Sequence, residues 1–474
     1  MKRVAIIGGG VSGLAAAYSL EKQRASGVDS VLFESAHSFG GVVRTERHEG
    51  CLIEAGPDSF LTEKSWGADL CRDLGLGDHL VGSNDAERKT CILVNRRLVP
   101  LPDGLAFMVP TRLRAALFSP LFPWSTKARM IREWFFRPVQ HEDETVADFV
   151  RRHYGTGMVE RVADPLLAGV YGGTADELSV QAVLPRFAEV EARQGSLGRA
   201  MVASRKLRSG QERPLFTSLK NGMQELIDGV LARIPESSLR PGTRIQSVQP
   251  ESGKWLVITE GSRTEEFDAV ILAIPAYSAA TILGRADDEL ARELSAIRYT
   301  SSVTVALAFD QQVRAALPPG FGFLVPRTEN RRILAATFVH NKFPYRAPAD
   351  RALIRCFLGG SRDEDILNAP EDSICELVLT ELREILGITA PPSFARVFKW
   401  SKSMAQYAVG HKERVRRIRD LAARMPGLAL AGNAYGGIGV PDCIRSGFDA
   451  SGKILSDLAI APMSIAANAW QKSS

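Results

Sequence analysis

No stretch of this chain approaches the roughly 18 to 20 consecutive apolar residues that a membrane span requires, so a bilayer-crossing helix is not expected. Cysteine is scarce and scattered. Cys51, Cys71, Cys91, Cys356, Cys375 and Cys443 form no CxxC pair, which argues against a disulfide framework or zinc site and for a reducing cytoplasm. The seven histidines show no HxxxH or HxH spacing, so no resident metal is expected. No Ser-His-Asp or Cys-His arrangement can be placed, and no acid pair stands out for hydrolysis, so no catalytic acid or base is named. The N-terminus lacks the pattern of a signal peptide, because its apolar run begins three residues in and flows into glycines. The net charge of +5 is small and comes with no nucleic-acid-binding motif. What remains is an ordinary globular composition, 45% apolar and 24% charged over 474 residues, enough for two or three domains.

Against these absences one stretch is dense with information. Val4-Ala5-Ile6-Ile7 is a buried-strand sequence that runs into Gly8-Gly9-Gly10-Val11-Ser12-Gly13 and then into a helix-forming segment; a second apolar run, Val31-Leu32-Phe33, ends in Glu34-Ser35. This strand–turn–helix–strand unit fits a dinucleotide. Gly8 allows the tight turn, Gly10 lets the backbone approach a pyrophosphate, and Gly13 lets helix and strand pack closely. The helix N-terminus offers N–H groups to phosphate. Glu34 suits ribose hydroxyls and disfavours the 2′-phosphate of NADP.

Two more glycine loops follow: Gly40-Gly41-Val42-Val43-Arg44-Thr45 and Ile53-Glu54-Ala55-Gly56-Pro57-Asp58-Ser59-Phe60. Plain NAD domains do not continue this way, whereas an extended FAD needs backbone N–H groups further along its length. A fourth loop, Gly436-Gly437-Ile438-Gly439-Val440, precedes Asp442-Cys443 and a helix. The Gly-Gly-x-x-Arg-Thr spacing and the Glu-x-Gly-Pro-x-Ser-Phe run resemble the oxygen-dependent protoporphyrinogen oxidase and coproporphyrinogen III oxidase family of the flavin amine oxidase superfamily. Gly169-Val170-Tyr171, Gly320-Phe321-Gly322-Phe323-Leu324-Val325-Pro326 and Trp400 before Gln406-Tyr407 are similar to further family segments.

The resemblance implies an α/β fold: a Rossmann-type FAD-binding domain (residues 1–85, 214–275 and 396–474), an interleaved α+β substrate domain with a mixed sheet (86–102 and 276–395) and a helical insertion (103–213). It implies noncovalent FAD, with Cys443 a structural thiol. The cofactor would be held by Gly8, Gly9, Gly10, Val11, Ser12, Gly13, Glu34, Ser35, Gly40, Gly41, Arg44, Gly56, Pro57, Asp58, Ser59, Val248, Trp400, Ile438, Gly439 and Val440. Arg88, Lys89, Gly169, Leu324 and Phe338 would face the substrate, the family's basic position itself falling on Thr90. The implied reaction is a six-electron oxidation of a porphyrinogen by O2 with H2O2 as product, in heme biosynthesis. Protoporphyrinogen IX is the expected substrate and coproporphyrinogen III the alternative, since the latter replaces two vinyls by propionates and asks for more cations. An amine oxidase or desaturase, a noncatalytic binding protein on the same fold and a structural membrane-surface protein are the remaining readings. A homodimer and hand-over to the next heme-pathway enzyme stay open as partner relationships.

The charge is concentrated. Between residues 105 and 138, Arg112, Arg114, Lys127, Arg129, Arg132 and Arg137 face the single acid Glu133, six cations less one, interleaved with Phe118, Phe122, Trp124, Trp134, Phe135 and Phe136. That pattern suits a peripheral membrane surface at the inner face of the cell membrane, or a helix whose aromatics face its own core. Residues 195–213, rich in Arg, Ser and Gly, read as a connection.

Overall fold

The computed structural model describes residues 1–207, 213–284 and 286–460, the side chains of 205–207 excepted. β1 (Lys2–Ile7), α1 (Val11–Glu21) and β2 (Val28–Phe33) make the first crossover. With β3 (Leu239–Arg240), β4 (Ala269–Leu272) and β5 (Leu428–Leu430) they build a five-stranded sheet in the order β3-β2-β1-β4-β5. Every pair in it is parallel. Such a sheet is covered on both faces, which is why these strands are apolar without alternation; Val4, Ala5, Ile6, Val270 and Ile271 have no exposed surface.

The last helix among the described residues, α2 (Val440–Asp457), lies along α1. The two approach so closely that a Cβ on Gly447 would stand 2.2 Å from the Ser12 carbonyl oxygen. Ser12 Oγ donates to the Cys443 carbonyl at 2.9 Å and Ser451 Oγ to Ser19 Oγ at 2.7 Å. On the other side of α1, a Cβ on Gly13 would stand 1.8 Å from the Gly8 carbonyl oxygen. Glycine at both contacts brings the N-termini of α1 and α2 to the same end of the sheet.

A second sheet of seven strands runs in the order Phe394–Ala405, Tyr299–Phe309, Ala352–Gly359, Ala335–Phe338, Gly322–Leu324, Thr90–Val94 and Arg97–Pro100. It is mixed, the Gly322–Leu324 and Thr90–Val94 pair being parallel and the others antiparallel. The two apolar runs on either side of Asn95-Arg96-Arg97 predict a hairpin, and it closes on Asn95 and Arg96, at φ 50° and 60°, the two left-handed residues of a type I′ turn. One boundary differs from expectation. Phe394–Ala405 pairs with Tyr299–Phe309 over nearly its whole length, so the chain leaves this sheet after Ala405 and not at 396. Helix Glu371–Leu386 lies where its apolar face predicts, with Ile374, Val378 and Leu382 buried.

Residues 113–207 form a helical layer that extends to helix Leu197–Leu207, so most of the expected connection at 195–213 is helix, residues 208–212 lying outside the described set. The layer is tied by buried charge. His153, with no exposed surface, lies 3.0 Å from Glu191 and 3.4 Å from Glu133. Glu133 also accepts from Ser196 Oγ and the Leu197 N–H, and Arg152 grips both Glu144 and Glu191. Burial works against the imidazolium, but the two carboxylates outweigh it and raise the pKa of His153. A raised folded pKa gives stability that is full below the unfolded value of about 6.5 and is lost as pH rises through the folded value. His153→Phe should therefore cost about 3 kcal/mol or more near pH 6, the range for breaking a buried ion pair, and progressively less toward pH 9, read from thermal melts.

Candidate cofactor and substrate site

The first turn is built as the sequence predicts. Gly8 sits at φ +107°, and its N–H donates to the Phe33 carbonyl at 2.8 Å. Glu34 holds the turn to the end of β2: its carboxylate accepts from the Gly9 N–H at 2.7 Å and the Ala36 N–H at 2.8 Å, with Ser35 Oγ at 3.2 Å. Of the carboxylate's roughly four lone-pair sites these bonds use three, which leaves capacity for a ribose hydroxyl. A Cβ on Gly10 would meet nothing within 4 Å, so the space over the turn is open. Beside it, Val11, Ser12 and Gly13 form the first turn of α1, whose N–H groups have no intrahelical acceptor.

The second loop docks on the first. Gly40 donates to the Gly9 carbonyl at 2.8 Å, and a Cβ on Gly41 would lie 3.3 Å from the Gly10 Cα. The third loop docks on the second, since a Cβ on Gly56 would lie 1.9 Å from the Val42 carbonyl oxygen. Arg44 is exposed and pairs with Glu46 at 2.5 Å, while its carbonyl accepts the Ala55 N–H. Trp400 Nε1 donates to the Ala55 carbonyl at 2.9 Å, which places that strand directly behind Gly56 and Pro57. Val248 is fully buried and paired with Val257, on a strand whose approach is fixed beside Glu34 by the Thr243 N–H.

The fourth loop is held from beneath. Tyr407 OH donates to the Asn433 carbonyl at 2.6 Å and accepts from the Gly437 N–H at 2.8 Å. Asn433 uses both ends of its amide, Nδ2 donating to the Ser403 carbonyl and Oδ1 accepting from Tyr299; an acid there would lose the first bond. Gly439 caps α2, with its N–H on Asp442, and Asp442 in turn pairs with Lys64 at 2.5 Å. Ile438 and Val440 pack inward on either side of Gly439. The Cys443 thiol is pushed up to about 12 by burial, which suits an inert structural group. The open cradle at Gly10, two helix N-termini and a relay of three docked loops fit a ligand as long as FAD.

Sequence reasoning missed the polar group behind the third loop. Lys342 Nζ donates to both Asp58 oxygens at 3.0 Å and to Ser59 Oγ at 3.1 Å. Arg355 Nη2 donates to the Gly56 carbonyl at 2.6 Å; Arg346 Nη2 donates to the Asp58 carbonyl at 2.9 Å and to Glu54 at 3.2 Å. Burial penalises the Asp58 carboxylate, yet Lys342, Arg355 and Arg346 hold its pKa well below the usual range. The available signal was Arg355 inside the otherwise apolar run Leu353-Ile354-Arg355-Cys356-Phe357.

On the substrate side the structure brings Gly169 and Leu324 together, a Cβ on Gly169 lying 3.7 Å from Leu324 Cδ2. Arg88 and Lys89 are both exposed on the approach to the hairpin, Arg88 paired with Asp85 at 3.4 Å. Phe338 stands apart from this group. It is 1% exposed and packs edge-on to Phe323 within the core of the second sheet, so its ring presents no surface to a ligand.

The sequence profile of flavin containing amine oxidoreductases matches residues 11–455. The coproporphyrinogen III oxidase of Bacillus subtilis (strain 168) is 33% identical, over 94% of this chain and 96% of that one. The mitochondrial protoporphyrinogen oxidase of Nicotiana tabacum is 27% identical, over 96% and 95%. A crystal structure from Exiguobacterium sp. 255-15, assigned provisionally as a protoporphyrinogen oxidase, superimposes with a TM-score of 0.86 at 32% identity, over 97% and 99%. Gly10→Val adds a branched side chain to extended backbone with free space around it. The variant should fold with unchanged melting of the apoprotein and purify colourless, which absorbance near 450 nm and circular dichroism would check.

Proposed function

Because the chain belongs to the family of flavin containing amine oxidoreductases, we propose that it is an FAD-dependent porphyrinogen oxidase whose substrate is coproporphyrinogen III. The likeness along almost the whole chain to the Bacillus subtilis enzyme, 33% identical against 27% for the tobacco protein, carries this reading. It reverses the preference for protoporphyrinogen IX drawn from the sequence. Charge supports the reversal. Arg88, Lys89, Arg96 and Arg97 are all exposed around the hairpin whose first strand runs beside Leu324, and coproporphyrinogen brings two further carboxylates for such cations to meet.

FAD, held by the Gly8–Gly13 turn, Glu34 and the docked glycine loops, would supply the hydride acceptor, with dioxygen taking the electron pair as H2O2 in each of the three rounds that a six-electron oxidation requires. The chain supplies position. Gly169 and Leu324 offer a flat apolar contact, where any side chain on Gly169 would shorten the distance to Leu324. No side-chain base is assigned. His340 and His411 are both buried, which lowers their pKa values to about 4, and each ring contacts a backbone carbonyl. Aerobic turnover followed by porphyrin fluorescence should give a kcat/KM for coproporphyrinogen III more than tenfold above that for protoporphyrinogen IX, the factor expected from one charge-assisted hydrogen bond of about 1.5 to 3 kcal/mol. Equal or inverted values would return the choice to protoporphyrinogen.

A second element of the proposal concerns the helical layer. Its aromatic stretch divides in two: Leu121 and Phe122 are buried, whereas Phe118, Trp124 and Phe135 are 87%, 83% and 78% exposed. Lys127 lies 4.7 Å from the Trp124 ring centroid. No described helix is long and apolar enough to cross a membrane. Exposed aromatics among cations suit instead the headgroup region of an anionic bilayer. Changing Phe118, Trp124 and Phe135 to Ser should lower co-sedimentation with phosphatidylglycerol vesicles severalfold while leaving turnover in detergent-free buffer intact. Unchanged sedimentation would remove the membrane from the proposal.

A further inference from the structure

Behind the third glycine loop lies a group of charges that the porphyrinogen reading leaves unused. Glu54, Asp58, Lys342, Arg346 and Arg355 have side-chain exposures of 1%, 14%, 10%, 0% and 3%. Three cations face two acids, so one positive charge is in excess. The group is also over-supplied with donors. Arg346 Nε and Nη1 and Arg355 Nε are buried and have no acceptor among the described residues. Burying an unbalanced guanidinium is costly unless an anion compensates it.

The direction of the loop shows where that anion would lie. The carbonyl oxygens of Ala55 and Gly56 are taken by Trp400 and Arg355 of the second sheet, and that of Asp58 by Arg346 in the turn before the sheet's strand Ala352–Gly359. A trans peptide points its carbonyl and the following N–H in opposite directions. The N–H groups of Gly56 and Ser59 therefore face away from the second sheet. Through Val42 and Gly41 the loop is in contact with Gly10, so it is the next support along the cofactor from the pyrophosphate turn. The acids are spoken for. Glu54 accepts from the Met223 N–H, Thr45 Oγ1 and Arg346, and Asp58 from Lys342 and Ser59.

We propose that this buried cationic excess stabilises negative charge on the reduced flavin, and that Lys342 and Asp58 are opposed positioning residues that set its size. The inference rests on the flavin and not on the identity of the porphyrinogen. Lys342 holds the Asp58–Ser59 end of the loop while contributing one of the three cations. Asp58 offsets one of them and keeps Lys342 in place.

The test is the midpoint potential of the holoenzyme, measured by dye-equilibrated reduction without substrate. Lys342→Met should lower the potential by about 30 mV, which for a two-electron couple is tenfold in the oxidised-to-reduced ratio. Asp58→Asn should raise it by a similar amount. The double variant removes one charge of each sign, leaves Arg355 with the amide oxygen of the new Asn in place of the Asp58 carboxylate, and should return close to the wild-type value. A merely structural clamp would move neither single variant, or both in one direction, and either result overturns the proposal. If one single variant yields no folded holoprotein, the other compared with the double variant still gives the sign. A double variant that holds no FAD overturns it too, because the pair would then serve retention alone. Porphyrinogen turnover is not read, so an incorrect substrate assignment leaves the outcome intact.

Discussion

Two helices meet at bare backbone, and the cofactor site depends on that contact. Only hydrogen at Gly447 allows α2 to lie against the Ser12 carbonyl, and only hydrogen at Gly13 lets α1 lie against the turn at Gly8. The approach brings two helix N-termini to one end of a parallel sheet, the arrangement best suited to an extended anionic ligand. The three glycine loops then dock on each other in succession. Their positions are consequences of that first contact, because Gly40 bonds to Gly9 and Gly56 packs on Val42. Close packing here does not supply affinity by itself. It fixes where the N–H groups point before any ligand arrives.

Away from the parallel sheet, much of the molecule is joined by buried charge. The helical layer closes on His153, Glu133, Glu191, Arg152 and Glu144; the second sheet reaches the third loop through Arg355, and the connection between its strands Ala335–Phe338 and Ala352–Gly359 through Lys342 and Arg346. A buried ion pair is weak as a source of stability but strict about geometry, since removing one partner strands the other. Such contacts suit joints that must be set in one arrangement. They also explain why Arg355 stands in the otherwise apolar strand Ala352–Gly359.

The sequence made the dinucleotide unit legible because every one of its parts is local: strand, turn, helix and acid fall within residues 4–34. The hairpin was legible for the same reason, with Asn95 and Arg96 occupying a tight turn between two apolar runs. Helix Glu371–Leu386 declared itself by its periodic apolar face. What escaped was the contribution of distant segments. Lys342 and Asp58 are 284 positions apart, and neither residue type, read in place, signals a buried partner. The extent of Phe394–Ala405 escaped because its pairing with Tyr299–Phe309 is a property of the partner strand. In the basic stretch, composition could not separate inward from outward aromatics: Phe122 and Trp124 lie two positions apart yet are 3% and 83% exposed.

The chain passes between the two sheets repeatedly: from Val28–Phe33 to Thr90–Val94, from Arg97–Pro100 by way of the helical layer to Leu239–Arg240, from Ala269–Leu272 through helices to Tyr299–Phe309, and from Ala405 back to Leu428–Leu430. Parallel strands threaded in this way act as several staples between two bodies, and bodies so stapled have no single hinge about which to swing apart. Relative movement of the two bodies would have to be absorbed at every crossing together. Entry and departure of a large flat molecule must depend on yielding at the rim, where the hairpin turn and the Gly169 segment are the exposed parts.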